Sequence, residues 1–207
     1  FIDYENQLFS VQTPQLLLDW GGIPKEDQYH LTDADRRYVL YGSQPQLSSK
    51  TRETNEEHKK RSQQLDDFEA WLISIEEWVN SDAILEKLFG KKSSDFIPLV
   101  RAGTGGAPNK MKFKFHVDRD TSDPDFELCK RNPETKERDF ELTDGMTLED
   151  LRKKVFTYMG KQSLIFQIRG WTDKIFEKSK KAPRFGITMI IKSVEYEPPV
   201  KREPAAK

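Results

Sequence analysis

Residues 111–117 read MKFKFHV, and apolar and basic side chains alternate without a break: Met111, Phe113, Phe115 and Val117 against Lys112, Lys114 and His116. A period of two sends successive side chains to opposite faces of a strand, so this stretch predicts one with an apolar face and a cationic face. It opens a longer strand-rich region that runs to Glu197. Residues 126–131 and 138–142 read as two strands joined by the hairpin connection NPETKE. Asp144-Gly145 marks a turn, and Thr147 with Asp150 three residues on resembles a capping box. That box opens a short helix to about Tyr158 with Leu148, Leu151 and Val155 inward, ended by Gly160. Residues 163–172 and the strongly apolar 185–196 complete the set. Strands of this kind, with cationic connections and a short helix before the last two, predict a small closed β-barrel with a positive surface.

The first half of the chain either completes this sheet or is inserted into it. Residues 7–23 read as extended, interrupted by Pro14, hence an edge strand or two strands with a kink. Gly21-Gly22 ends them with a turn, and the polar residues 24–35 read as loop. Residues 36–41, RRYVLY, form a short strand. Residues 54–90 predict the one long helix, with Leu65, Phe68, Leu72, Ile75 and Val79 at 3–4–3–4 spacing and Trp71 and Trp78 widening the stripe. Ser81-Asp82 marks a break or the cap of a second short helix. Gly90 suits a C-cap. Asp66-Asp67 and Glu76-Glu77 are expected on the solvated side. The expected organisation is one domain over 1–197, with a helical insertion at about 54–90 and an extended Pro-rich tail over 198–207.

Composition narrows the function classes. Charged residues make up 33% of the chain and hydrophobic ones 35%, but 13 Phe, 6 Tyr and 4 Trp supply the area for a core. The single cysteine, Cys129, excludes an internal disulfide framework and a Cys-based zinc site, which fits a reducing compartment. No apolar run reaches the roughly 20 residues that cross a bilayer, and no signal-peptide pattern is present. The net charge of −1 hides an asymmetry: −6 over residues 1–109 and +5 over 110–207. A basic half points to a polyanion partner.

No catalytic constellation stands out. His30, His58 and His116 are scattered, and no HExxH or GxSxG occurs. The GTGG of residues 103–106 lacks the G-K-[ST] of a P-loop and reads as a flexible connection. Asp118 and Asp120 at a strand end are the nearest thing to a metal pair, without a third partner. The expectation is a protein that is not an enzyme and takes no cofactor and no metal.

The residues that carry chemistry are basic and aromatic. Lys112 and Lys114 share one strand face. Arg169 and Trp171 share a face of the next-to-last strand, where phosphate contact and base stacking go together; a Trp capping the end of the barrel is the alternative. Residues 173–184, DKIFEKSKKAPR, interleave Lys174, Lys178, Lys180, Lys181 and Arg184 with Phe176, a pattern suited to single-stranded nucleic acid or to a solvated loop. Arg36, Tyr38 and Tyr41 are weaker nominations.

Three segments, LFSVQTPQLLLDWGGI at the start, KMKFKFHVDRD after the Gly-rich loop and FGITMIIKSVEYEP at the end, carry a resemblance. In this order, with a long helix between strands, the chain resembles the single-stranded DNA-binding proteins of nucleocytoplasmic large DNA viruses. These are themselves similar to the OB-fold single-stranded DNA-binding protein of short-tailed phages. The resemblance implies a mainly β, α+β fold: a five-stranded OB-like barrel with a long inserted helix and a short helix. It implies sequence-tolerant binding of single-stranded DNA in viral replication or recombination, with Lys112 and Lys114 on phosphates. Partners would be single-stranded DNA and viral replication or capsid proteins. The site of action would be the replication site in the host cytoplasm or nucleus, or the virion. The phage-type proteins end in an acidic tail, whereas this sequence ends in KREPAAK. A minor capsid protein using the barrel for protein contacts is the alternative function.

Overall fold

A computed structural model of the chain describes residues 3–4, 7–18, 25–26, 37–43, 55–89, 95–103, 109–118, 120–121, 123–157, 160–172 and 184–198. The architecture is mixed α+β and mostly strand. The elements in chain order are β1 (Asp3–Tyr4), β2 (Gln7–Leu8), β3 (Ser10–Gln12), β4 (Leu16–Leu18), β5 (Lys25–Glu26) and β6 (Arg37–Ser43). Then come α1 (Asn55–Val79), α2 (Asp82–Phe89), β7 (Asp95–Ile97), β8 (Val100–Arg101), β9 (Lys110–His116), β10 (Glu127–Arg131), β11 (Arg138–Glu141), α3 (Leu148–Lys154), β12 (Lys161–Thr172) and β13 (Arg184–Tyr196). Among the described residues, β1 and β2 pair with each other and the remaining eleven strands share one sheet. Residues 25–26, expected in a loop, pair with β6 through Lys25↔Val39 and Glu26↔Tyr38.

The longest strands organise this sheet. β13 runs antiparallel to β12 along its whole length, from Thr172↔Phe185 to Gln162↔Tyr196, with one irregularity at Ile165/Phe166. The other edge of β13 takes three parallel partners in succession: β7 at Arg184–Gly186, β9 at Met189 and Ile190, and β10 at residues 193–196. β12 pairs in turn with β3 and β4, β4 with β6, and β6 with β9 over seven residues. The path of hydrogen bonds that leaves β12 through β4 therefore returns to it through β9 and β13.

Pro14 explains why the first long segment is two strands. It has no N–H to give to a ladder, so β3 and β4 flank it on the same edge of β12. Thr13 fills the gap: its N–H reaches the Leu164 carbonyl at 2.8 Å and its Oγ1 accepts the Leu164 N–H at 2.9 Å.

The alternation of β9 is realised as the sequence predicts. Met111, Phe113 and Phe115 are fully buried and Val117 nearly so, while Lys112, Lys114 and His116 are half-buried on the other face. Phe113 meets Phe166 of β12 edge-on at 5.7 Å, and Phe68 of α1 meets the same Phe166 at 6.0 Å. Phe115 stacks on Phe156, which follows α3, at 6.0 Å and meets Phe126 edge-on at 5.3 Å. The core is thus a line of phenylalanines with α1 at one part of it and α3 at another.

α1 buries Leu65, Phe68 and Leu72, with Trp71, Ile75 and Val79 packed at the edge. Trp78, expected to widen this stripe, is instead 58% exposed, because its position has rotated past the sheet-facing side. Glu76, expected on the solvated side, is buried: it accepts the backbone N–H groups of Leu99 and of Val100, the latter at 3.2 Å. The carboxylate takes the place of a strand partner at the turn between β7 and β8. Asp66, Asp67 and Glu77 are exposed as expected. The helix breaks at Asn80-Ser81, where the Ser81 carbonyl accepts the N–H groups of Ile84 and Leu85 at 3.0 Å and starts α2. α3 carries the complete Thr147–Asp150 capping box and ends at Lys154, earlier than expected, but Leu151, Val155 and Phe156 are all buried.

Candidate nucleic-acid interface

Strand register builds a continuous outer surface opposite the phenylalanine core. Lys114 of β9 is paired with Ile190 of β13, Ile190 with Gln167 of β12, and Gln167 with Ser10 of β3. One step along the strands, Arg169 stands beside Thr188, and Lys112 pairs with Tyr41 of β6. A further step brings Trp171 beside Gly186, with Ile97 of β7 on the far side. Lys112 and Lys114 on β9 and Arg169 and Trp171 on β12, the two strands that flank β13, therefore share one face. Adjacent strands lie about 4.8 Å apart, so this surface is crossed in a few such steps.

All four of these side chains are half-buried, and Arg184 is exposed at the start of β13. Ile190 sits in the middle of the face and is only 2% exposed. Its register neighbours are Lys114 and Gln167, both half-buried, and the Gln167 Oε1 is itself buried with no hydrogen-bond partner. The Trp171 indole is neither a buried cap nor fully free. Its Cε2 and Cζ2 lie over Gly186, 3.2 Å from where a Cβ would stand.

Lys192 continues the same face toward β10 and pairs with Asp125 at 3.3 Å. Sequence reasoning did not nominate Gln167, Thr188, Ile190 or Lys192. The signal was present as alternation within residues 184–192, but the isoleucines at 187, 190 and 191 conceal which parity faces the core. The weaker aromatic nominations separate by register: Tyr38 is paired with core-facing Phe115, and Tyr41 with Lys112. Arg36, Lys174, Phe176, Lys178, Lys180 and Lys181 lie outside the described residues, as does most of the tail.

Other charged groups near the sheet have structural duties. Asp118 Oδ1 accepts the N–H groups of Asp120 at 2.8 Å and Thr121 at 3.0 Å, which hold its carboxyl below the usual range. It caps a turn, and among the described residues no three His, Cys, Asp or Glu side chains converge on a metal site. Arg61, 8% exposed, reaches Gln15 Oε1 at 3.1 Å and ties α1 to the segment after Pro14. Lys161 lies in the same region, and burial, then the neighbouring Arg61 charge, lower its pKa. Burial likewise raises the pKa of Cys129, a free buried thiol. The Gly-rich segment joins β8 to β9, and Asn109 closes its base by accepting the Gly103 N–H at 3.1 Å and donating to Glu69 of α1.

The sequence matches no protein-family model and no curated protein. The fold, mixed α+β with most of its strands in one sheet and with helices, is similar to that of a phage single-stranded DNA-binding protein. The crystal structure of gp2.5, a single-stranded DNA-binding protein encoded by bacteriophage T7, is similar over 96% of this chain and 91% of that chain, with a TM-score of 0.50 and 10% identity. The single-stranded DNA-binding protein from bacteriophage Enc34 and its C-terminal truncation align over 96% and 94% of this chain and 84% and 87% of theirs. Their TM-scores are 0.41 and 0.44, at 9% and 10% identity.

Proposed function

We propose that this chain is a non-enzymatic, sequence-tolerant single-stranded DNA-binding protein acting in viral DNA replication or recombination, of the kind found in nucleocytoplasmic large DNA viruses. One observation carries the reading: Lys112, Lys114, Arg169 and Trp171 fall on one outer face of the two strands that flank β13. Lysine and arginine on such a face neutralise phosphates and release counterions, and an aromatic beside them stacks on a base without reading its identity. Likeness of fold to the phage protein supports the same reading. The circuit of β3/β4, β6, β9, β13 and β12 supports a five-stranded OB-like barrel with α1 and α2 inserted between its second and third strands. Lys174, Phe176, Lys178, Lys180, Lys181 and Arg184 would extend the surface from the connection between β12 and β13. The site of action in this reading is the replication site in the host cell.

A virion structural role is the second reading. Phe140 on the edge strand β11 is 75% exposed, Leu142 just beyond it 82%, and Trp78 on α1 58%, which favours protein contacts. Binding to a fluorescent oligo-dT at several salt concentrations, against duplex of equal length, separates the two. Single-strand-selective binding that weakens with salt is the expected result. Absence of binding at low salt refutes the DNA-binding reading and leaves the structural one.

A further inference from the structure

Glycine in the interior of a strand contributes no side chain to packing and weakens the ladder, so its presence in a long central strand marks a place where something approaches the backbone closely. β12 and β13 each contain one. At Gly170 a Cβ would meet nothing within 4 Å. At Gly186 it would stand 3.2 Å from Cε2 and Cζ2 of Trp171 and 2.7 Å from the Ile97 carbonyl oxygen. The two glycines are near neighbours on paired strands, and only the second is needed for space.

We propose that Gly186 is a positioning residue for single-strand binding: its bare Cα is the seat on which the Trp171 indole lies, and this seat fixes the ring as a stacking platform on the outer face. The inference rests on the DNA-binding reading above. Trp171 stands directly across the ladder from Gly186, and Arg169, two residues back on β12, occupies the same face beside Thr188. With one side of the ring backed by the β13 backbone at Gly186, the indole lies on the same face as Arg169. A Cβ at residue 186 would push the β7 backbone away at Ile97, which it would approach to 2.7 Å, and would also lift the ring, 3.2 Å away, off its seat, so that the geometry for stacking is lost. The lysines of β9 would remain.

The test is a cycle of variants assayed for oligo-dT binding across a salt series: Gly186→Ala, Trp171→Ala, the double variant, and Gly170→Ala as control. Gly186→Ala and Trp171→Ala are each expected to weaken binding by roughly 5- to 150-fold, the range for loss of one stacked base. Neither should change the salt slope, because the phosphate contacts remain. Gly170→Ala should bind as the parent does. In the double variant Gly186→Ala should cost nothing beyond Trp171→Ala, since a seat without its ring has no further effect. Additive losses, or a parental affinity for Gly186→Ala, overturn the assignment while leaving single-strand binding intact; failure of the parent itself to bind overturns the functional reading and this inference together. Fluorine NMR of the unmutated chain labelled with fluorotryptophan covers the case in which Gly186→Ala does not fold. The resonance missing from Trp171→Phe is expected to shift on addition of oligo-dT, and a resonance that does not move refutes the platform.

Discussion

Glu76 offers a quantitative test of how α1 is joined to the sheet. Its carboxylate accepts two backbone N–H groups, those of Leu99 and Val100, and Leu99 is only 4% exposed. Glu76→Leu keeps the volume and removes the acceptor. A buried donor left without a partner costs about 1–3 kcal/mol, and the half-buried Val100 N–H recovers part of its loss from water, so a total of about 2–4 kcal/mol is expected. For a chain of this size each kcal/mol lowers Tm by about 2–4 °C. Glu76→Gln keeps a carbonyl oxygen for the same two donors and should retain most of that stability. Burial raises the Glu76 pKa, opposed in part by the two backbone hydrogen bonds. A carboxyl whose folded pKa is raised contributes stability that is complete below its unfolded value and is lost as pH rises through the folded one. The parent should therefore lose stability relative to Glu76→Gln as pH climbs from the ordinary carboxylate range to above the folded value. Urea denaturation of the three proteins at a series of pH values measures both effects. A Glu76→Leu variant within about 0.5 kcal/mol of the parent, the ordinary surface range, would refute the capping argument. A parent that gains on Glu76→Gln with rising pH would refute the pKa argument.

Two further outcomes follow from residues at the centre of the molecule. Replacing both Lys112 and Lys114 by alanine should lower the slope of log K against log salt for oligo-dT by about 1.4, at roughly 0.7 for each phosphate no longer neutralised; an unchanged slope would remove these lysines from the interface. Phe166→Ala opens the core between Phe68 and Phe113 and should cost about 3–5 kcal/mol in urea denaturation, and a loss below about 1 kcal/mol would mean that the site collapses around the missing ring.

Local pattern carried much of this fold into view. The alternation of β9, the Thr147–Asp150 box, the 3–4 stripe of α1 and the kink at Pro14 are each decided by residues a few positions apart, and each appears as expected. What pattern did not reveal depends on distant partners. Glu76 reads as one more acid on a charged helix until the N–H groups at Leu99 and Val100 are brought beneath it. Nothing in SDFIPLVR announces that β7 will lie parallel to the start of β13. The site divides in the same way. That Lys112 and Lys114 share a strand face, and that Arg169 and Trp171 do, was legible from their spacing of two residues. That the two pairs share one face follows from the Met189↔Phe113 and Trp171↔Gly186 registers, which no local period encodes. Gly186 could have been singled out as a strand glycine, but the ring above it lies fifteen residues away in sequence.

The three successive partners on one edge of β13 have a kinetic consequence. β13 follows the other described strands in sequence, and it is the piece against which β7, β9, β10 and β12 all close. Such distant pairings place a chain among the slower folders, because long loops must close before any contact compensates. During synthesis, β7, β9, β10 and the full length of β12 would each wait for β13 with an edge open. Waiting edges are the ones that recruit the wrong strand. The thirteen-residue strand Arg184–Tyr196 therefore acts as the latch of the folding reaction, and the interval before it docks is when these open edges are most exposed to mispairing.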